Sequence, residues 1–294
     1  MIPIYLYKSK SARRLALTGA LISAAFCHQS CFSPMSESDD YNPLPQLALS
    51  TRAEGSGSYS RLDLALFDAE GERVVKVNQK QSDVTFGNPT FRLAPGDYQL
   101  VAIAHSGTGA ATLTSLTEVT FPSNKVTDTF YYCQPISVTD TDTHLEATLH
   151  RAVSMVRFII TDADIPDEFY QLKVYYTGGS STFSPSAGFG SVQSRQTEIR
   201  LLSEASRTAD GYLIFEVYTF PHEATDELRI TLTPQDADAQ PLLAHDILLP
   251  SVPIQLNHIT ECEGKIFEGN PLTGTTTLTI TISDEWEGTS HITF

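Results

Sequence analysis

Hydrophobic and polar residues alternate over many short stretches of the chain, and this two-residue period is typical of β-strands with one buried face. Leu62, Leu64 and Leu66 share one face of the first clear stretch. A turn sequence at residues 68–71 and a second apolar stretch at residues 74–77 then predict a β-hairpin. No long segment has the period of about 3.6 residues that marks an amphipathic helix, so the pattern predicts an all-β protein.

Short predicted strands continue to the end of the chain, separated by Gly, Pro and Asp. They lie at residues 98–104, 112–121, 126–132, 145–161, 170–176, 197–202, 212–220, 228–232, 242–249, 257–267 and 275–282. In the stretch 145–161 the apolar phase changes near Arg151, as a bulge or burial of both faces would require. A polar break at residues 140–143 precedes that stretch. We therefore predict two β-sandwich domains in tandem, at residues 61–143 and 144–294.

The first thirty residues differ from the rest and are typical of a signal peptide. Lys8, Lys10, Arg13 and Arg14 form a basic head, and the run from Leu15 to Phe26 is apolar or small except for two hydroxyl residues. A run of this length is too short to cross ~30 Å of hydrocarbon as a helix that rises ~1.5 Å per residue. It suits the central segment of a secretory signal that is later removed.

Two cysteines at the end of this segment raise the question of a lipid anchor. A small residue followed by Cys resembles the end of a bacterial lipoprotein signal, where the Cys carries acyl chains such as palmitate. Cys31 follows the small Ser30, whereas Cys27 follows the bulky Phe26. Cys31 is therefore the predicted lipidation site and Cys27 the alternative, and plain secretion with two ordinary thiols stays open. One acyl chain holds a protein to a membrane only marginally, whereas two or three hold it firmly.

The segment between this cysteine and the first domain, residues 31–60, is predicted to be a tether. It begins with an acidic cluster at residues 37–40 and ends in a Ser- and Gly-rich stretch at residues 50–60. Four of the 19 Lys and Arg residues and none of the 35 Asp and Glu residues precede residue 31, so the remaining chain carries a formal charge of −20. This charge argues against nucleic acid as a partner, because phosphate binding needs a basic face.

Residues that could carry out catalysis or bind a metal do not form a known motif. The eight histidines show no metal-binding spacing, and the chain has no nucleophile or phosphate-binding signature. The Asp pairs 140/142, 162/164 and 236/238 could bind calcium, but turn formation explains them better. We predict no cofactor and no enzymatic activity. Cys133 and Cys262 are expected to be two buried thiols, with a disulfide as the alternative.

Two parts of the second predicted domain contain aromatic residues that are candidates for a functional role. The Gly- and Ser-rich stretch 175–190 contains Phe183 and Phe189, and it could be a binding loop or only a crossover between strands. Trp286 is the only tryptophan of the chain and is expected to cap the core beside the last strand. Exposed aromatics on one face, such as Tyr175 and Tyr176 with the two phenylalanines, would support a surface glycan-binding lipoprotein.

Several of these stretches resemble one family. The lipoprotein-like signal, "LAPGDYQLVA" at residues 93–102, "LHRAVSMVRF" at residues 149–158 and "TGGSSTF" at residues 177–183 are similar to the fimbrillin-associated anchor proteins, the FimB type, of Bacteroidota type V pili. The resemblance implies two transthyretin-like, Greek-key β-sandwich domains. It also implies a non-enzymatic outer-membrane lipoprotein at the cell surface that fixes a pilus base and ends pilus growth, with fimbrillin subunits as partners.

The same resemblance implies assembly by β-strand complementation, in which an extended strand fills an unpaired sheet edge. The last predicted strand is the candidate partner-facing element, through Thr275, Leu278, Ile280 and Ile282, although in a terminal anchor an ordinary closing strand of its own domain is the favoured interpretation. Stalk subunits of such pili lose their first strand by cleavage after an Arg. Arg52 and Arg61 lie where that cut would fall, so a stalk or tip fimbrillin or adhesin remains the alternative to an anchor.

Overall fold

The computed structural model describes residues 44–54, 58–268 and 278–283 together with Trp286. Within these residues the chain forms nineteen strands and two short 3-10 turns, Pro122–Asn124 and Glu204–Ser206. The all-β prediction is confirmed. None of the described residues belongs to a helix long and apolar enough to cross a membrane.

The strands follow one another in this order: β1 Gln46–Ala53, β2 Arg61–Phe67, β3 Arg73–Lys80, β4 Thr90–Arg92, β5 Gly96–His105, β6 Thr112–Ser115, β7 Glu118–Thr120, β8 Thr129–Val138, β9 Thr143–Arg151, β10 Ser154–Ile160, β11 Gln171–Thr177, β12 Thr182–Ser184, β13 Phe189–Gly190, β14 Arg195–Leu201, β15 Leu213–Thr219, β16 Thr225–Gln235, β17 Ile247–Gln255, β18 Ile259–Gly264 and β19 Leu278–Ser283.

The first sandwich is a single seven-stranded sheet that folds onto itself. Its seven strands lie in the order β3-β2-β5-β8-β9-β1-β4. Side chains from both ends of this sheet pack together in one apolar core, which shows that the sheet folds into two layers. Leu62, Leu64 and Leu66 of β2 face this core, as their alternation predicts, and Leu47 and Leu49 of β1 approach from the opposite layer.

The second sandwich has two four-stranded sheets, β15-β10-β18-β19 and β14-β11-β16-β17. Alternate residues of the central strands point inward and enclose a second core, with Phe158 on β10, Val174 on β11 and Ile230 on β16. Burial of such side chains removes apolar area from water and stabilises the fold by about 25 cal/mol per Å². The tandem-sandwich architecture predicted from the strand pattern is confirmed.

A third core joins the two halves of the chain. The small sheet β13-β12-β7-β6 combines strands of both halves, and β12 pairs with β7 at Thr182 opposite Thr120. Behind it, Phe67 and Ile103 from the first half pack with Phe183 and Phe220 from the second. We call this cluster the shared core.

The domain limits expected from sequence differ from the strand pairing in two places. Residues 46–53, which lie within the predicted tether 31–60, form β1 inside the first sandwich. The stretch 145–161 is two strands, of which β9 pairs with β8 and β1 of the first sandwich, and β10 begins the second. Residues 151–156, where β9 ends and β10 begins, are all buried, as the change of phase near Arg151 predicts. The division into two domains stays a proposal, with β9 in the first of them.

Candidate strand-exchange site

The C-terminal strand β19 lies at the edge of its sheet. It pairs antiparallel with β18 along its whole length, from Ser283 opposite Ile259 to Leu278 opposite Gly264. Within the described residues no strand pairs with its other side. An edge strand presents unpaired backbone N–H and C=O groups, which can pair with a strand from another chain. The strand that the sequence marks as partner-facing therefore has the position that such a contact requires.

The side chains of β19 divide between the core and the solvent. Ile280 is partly buried and packs against the second core, whereas Ile282 is 38% exposed. Thr279 and Thr281 are exposed on the other face. Thr275 and the side chain of Leu278 lie outside what the structure describes. Of the described positions, only Ile280 attaches β19 to the core beneath it.

The N-terminal strand β1 is enclosed on both sides. It runs parallel to β9, with Leu47 opposite Thr143, and antiparallel to β4. Leu47 and Leu49 are 1% and 2% exposed. The Thr51 N–H donates to the Gly87 carbonyl at 2.8 Å, just before β4. Removal of β1 would open a groove between β9 and β4, with apolar sites for alternate side chains, which is the geometry that strand addition uses.

The two arginines that mark possible cleavage sites both lie in paired strands. Arg52 is exposed near the end of β1, and its Nε donates to Thr148 Oγ1 at 3.3 Å. Arg61 begins β2, pairs with residues on both β3 and β5, and donates from its guanidinium to the Thr108 carbonyl. A protease would have to separate paired strands to reach the peptide bond after either arginine. Cys31 and Cys27, the candidate lipidation sites, lie outside the described residues.

The predicted binding loop is instead part of the packing between the two halves. Phe183 is fully buried, with its ring centroid 4.9 Å from that of Tyr131 and 5.1 Å from that of Phe220. Phe183 therefore cannot contact a ligand at the surface, and Phe189 is half-buried at the beginning of β13. The glycines of this stretch permit close approach, since a Cβ on Gly190 would lie 2.4 Å from Ser180 Cβ.

The aromatic residues suggested for glycan binding do not share one exposed face. Tyr176 is 1% exposed and donates from its hydroxyl to the Tyr218 carbonyl at 3.0 Å, and burial raises the pKa of this phenol. Tyr175 points to the opposite side of β11 and is 36% exposed. With Tyr176 and Phe183 both buried, the structure gives no support to a stacking platform built from this set.

One Asp of each predicted pair accepts hydrogen bonds from backbone N–H groups. Asp162 is buried and accepts the N–H groups of Ile266, Phe267 and Glu268, each at 2.7 Å. Glu268 in return accepts the N–H groups of Ala163 and Asp164 at 2.5 and 3.3 Å. We call this reciprocal arrangement the carboxylate clamp, and it fixes the chain directly after β18.

One residue of each of the other two pairs also binds backbone groups. Asp236 accepts the N–H groups of Asp238 and Gln240, and Asp142 accepts the N–H of Gln46 at the beginning of β1. The turn-forming interpretation fits Asp236, whereas Asp162 and Asp142 bind backbone groups 104 to 106 and 96 positions away and so join distant segments of the chain. Across the described residues no three His, Cys, Asp or Glu side chains converge as metal ligands would.

The two cysteines within the described residues are unbridged. Cys262 on β18 is buried, and burial raises the pKa of its thiol to about 12. Cys133 on β8 is half-buried and accepts a hydrogen bond from the Gln99 amide. Both are structural thiols, because the thiolate is the reactive form and burial disfavours it.

Sequence reasoning missed a charged site at the junction of the two sandwiches. Arg151 is 8% exposed, and its guanidinium binds both carboxylate oxygens of Asp128, at 2.8 and 3.1 Å. It also lies over the rings of Phe130 and Trp286, at 4.6 and 4.1 Å from their centroids. Trp286 packs against the shared core, as expected of a residue that caps a core. The stretch "LHRAVSMVRF" contains Arg151, but its contacts are too distant in sequence to be read from it.

Comparison with known proteins gives one family match that covers most of the chain. The family model of the fimbrillin-A associated anchor proteins Mfa1 and Mfa2 matches residues 41–290. A search of curated proteins found no match.

Three solved structures show similarity at low sequence identity. A candidate adhesin from Bacteroides ovatus has a TM-score of 0.49 at 12% identity, over 72% of this chain and 84% of the other. A candidate polysaccharide-binding protein from Bacteroides thetaiotaomicron has a TM-score of 0.48 at 13% identity, over 76% and 92%. The fimbrial anchor protein Mfa2 from Porphyromonas gingivalis has a TM-score of 0.44 at 11% identity, over 81% and 96%.

Proposed function

The chain belongs to the family of fimbrillin-A associated anchor proteins, and we propose that it is the lipid-anchored subunit that attaches a pilus base to the outer membrane and ends pilus growth. Membership gives the coarser role, that of a fimbrial subunit associated with the cell surface. The anchor role is the proposal, and it requires binding and no catalytic step.

The edge of β19 that has no strand partner among the described residues is the observation that carries this proposal. A pilus base has to bind one fimbrillin while it remains folded by itself. β19 closes the second sandwich and still leaves one side without a strand partner in the described chain. A fimbrillin strand that pairs with this edge, or that takes the place of β19 against β18, gains backbone hydrogen bonds, and alternate side chains set the specificity. We therefore assign β19 as the partner-facing strand.

An anchor keeps its first strand, and the enclosed position of β1 is the arrangement that this role requires. A stalk subunit must lose its first strand so that the next subunit can fill the groove. Here β1 has a neighbour on each side, and both Arg52 and Arg61 lie within paired strands. A chain that keeps β1 offers no groove in the first sandwich, so subunits cannot be added there. Polymerisation then ends at this protein.

Lipidation of Cys31 provides the attachment in this proposal. Each buried methylene contributes about 0.8 kcal/mol, so two or three acyl chains are enough to hold a protein at a membrane. The formal charge of −20 on the chain after residue 30 makes binding to an anionic membrane surface unfavourable without them.

Mass spectrometry of the mature protein from purified membranes tests the proposal. We expect an acylated Cys31 as the first residue and intact β1. Cys31→Ser should release the protein and its pili into the medium, whereas the matched variant Cys27→Ser should stay membrane-bound. An N-terminus directly after Arg52 or Arg61 would identify a stalk subunit instead, and membrane retention of Cys31→Ser would contradict the lipid anchor.

A further inference from the structure

Arg151 forms a preorganised site where the two sandwiches meet. It ends β9, and its guanidinium is fixed by Asp128 before β8 and by Asn257 between β17 and β18. The Nη1–Asn257 Oδ1 distance is 3.2 Å, and Phe130 lies against one part of the planar group. None of these partners belongs to β19. The site therefore keeps its geometry whether or not the C-terminal strand is in place.

The aromatic ring that completes this site comes from the C-terminal end of the described chain. Trp286 follows the last residue of β19 by three positions, and its ring centroid lies 4.1 Å from the Arg151 guanidinium carbon. Its ring also lies 6.2 Å from that of Tyr218. A guanidinium held against an indole in a partly dry site gives the stronger class of cation–π contact.

We propose that Trp286 is a latch that holds β19 in its own sheet, and that release of Trp286 from Arg151 frees β19 to be exchanged for a strand of a partner subunit. The assignment of the partner as a fimbrillin rests on the proposed function. The latch itself rests only on the contacts of Arg151 and Trp286 and on the edge position of β19.

The strand needs such a second attachment. β19 is six residues long, pairs with β18 alone among the described strands, and contributes only Ile280 to the core among its described side chains. A terminal strand with few buried apolar contacts opens at low free-energy cost. Trp286 adds a contact beyond the ladder, at a point fixed by both sandwiches, so opening of β19 must also break the indole–guanidinium contact.

The contact is also of a kind that can be reversed. Trp286 is half-buried, not enclosed, and it lies on the surface of the shared core. When it leaves, Arg151 retains its ion pair with Asp128, so no buried charge loses its partner. A fully enclosed tryptophan would have to open the core before it could leave.

Hydrogen exchange of the whole purified protein tests the latch. In Trp286→Ala, exchange in segments 259–264 and 278–283 should rise about tenfold, the size expected for one partly desolvated cation–π contact. Trp286→Phe, which keeps an aromatic face, should lie between this variant and the wild type. Phe86→Ala is the matched control, because Phe86 is a half-buried aromatic on the first core and touches neither strand.

Two results would overturn the latch: unchanged exchange in those segments, or an equal rise throughout β10 and β15, which would make Trp286 an ordinary core residue. Fluorescence gives an independent readout, because Trp286 is the only tryptophan. In Arg151→Lys the emission should shift to longer wavelength as water reaches the indole. The control Arg157→Lys, at an arginine paired with Glu216 and Glu261, should not shift it.

A synthetic peptide of residues 275–286 separates the latch from the proposed function. It should bind Trp286→Ala at least about tenfold more tightly than the wild type, because the β18 edge is then accessible. Equal binding to both proteins contradicts the latch even if the protein anchors pili. If the peptide behaves as expected but Cys31→Ser cells retain their pili, the latch stands and the anchor function fails.

Discussion

The strands nearest the two ends of the described chain differ in how they are held. β1 lies between β9 and β4 and buries Leu47 and Leu49 in the first core. Among the described residues, β19 has β18 on one side only and buries Ile280 in part. Both are amphipathic and both could in principle be replaced by a strand of another subunit. Their surroundings make the exchange of β1 costly and that of β19 inexpensive.

This difference indicates which contact a terminal subunit can spare. A protein that gave up β1 would lose hydrogen bonds along two ladders and open its first core. A protein that gives up β19 loses one ladder and a partly buried side chain. The C-terminal strand can therefore take part in assembly while the rest of the molecule stays folded. Substitutions in β1, beside β19 and in β19 should therefore lower stability by successively smaller amounts.

The largest effect on stability is expected when a buried side chain of β1 is shortened. Leu49→Ala should lower the free energy of unfolding by about 3 kcal/mol, because it leaves a cavity in a well-packed core. Denaturant unfolding followed by circular dichroism gives the value. Leu248→Ala on β17, at a leucine that is 45% exposed, is the matched control and should change stability little. Equal losses in both variants would show that β1 is not an integral part of the first core.

Local alternation predicted the strands whose partners follow closely in sequence. Leu62, Leu64 and Leu66 with the turn after them gave β2 and β3 correctly. β1 was not predicted, because residues 46–53 adjoin a Ser- and Gly-rich stretch and pair in parallel with residues 143–149, far along the chain. A parallel partner leaves no turn between the strands to mark the pair.

The site was less predictable than the fold. The edge position of β19 follows from sheet order, which no local pattern contains. Phe183 looked like a loop residue, because Gly and Ser surround it, yet those small residues let it enter the shared core. Arg151 binds Asp128 and Asn257, which lie 23 and 106 positions away. Tertiary contacts at such separations cannot be derived from one sequence by periodicity.

A smaller effect is expected at the carboxylate clamp, where the chain leaves β18 on its way to β19. Asp162→Ala removes the acceptor of three backbone N–H groups and should cost about 2 kcal/mol, since buried donors lose their partner. Denaturant unfolding gives the total, and hydrogen exchange shows whether residues 266–268 lose protection first. Asp164→Ala, at the exposed member of the same pair, is the control. A similar loss there would contradict the clamp.

A still smaller effect on stability is expected when a side chain of β19 itself is shortened. Ile280→Ala removes a side chain that is only partly buried and should lower the free energy of unfolding by about 1 kcal/mol. Ile282→Ala on the same strand, at a residue that is 38% exposed, should have almost no effect. A loss at Ile280 as large as that at Leu49 would remove the contrast between the two strands.

The smallest expected effect is the weakening of the carboxylate clamp at low pH. The hydrogen bond from the Lys265 ammonium, together with those from the Ala163 and Asp164 N–H groups, lowers the pKa of Glu268 below its ordinary 4.5. A carboxylate whose pKa is depressed by folding stabilises the folded state above its unfolded pKa, and that contribution is lost as the pH falls through the folded pKa. The side of the clamp that Glu268 provides should therefore weaken only below pH 4.5.

Nuclear magnetic resonance can follow this step through the amide shifts of Ala163 and Asp164, which donate to Glu268. We expect both shifts to move together in acid and to stay constant from there to neutral pH. In Glu268→Gln the acid transition should disappear, because the amide does not titrate. A transition that persists in this variant would assign the acid sensitivity to another carboxylate, and the Glu268 side of the clamp would then have no part in holding the segment that leads to β19.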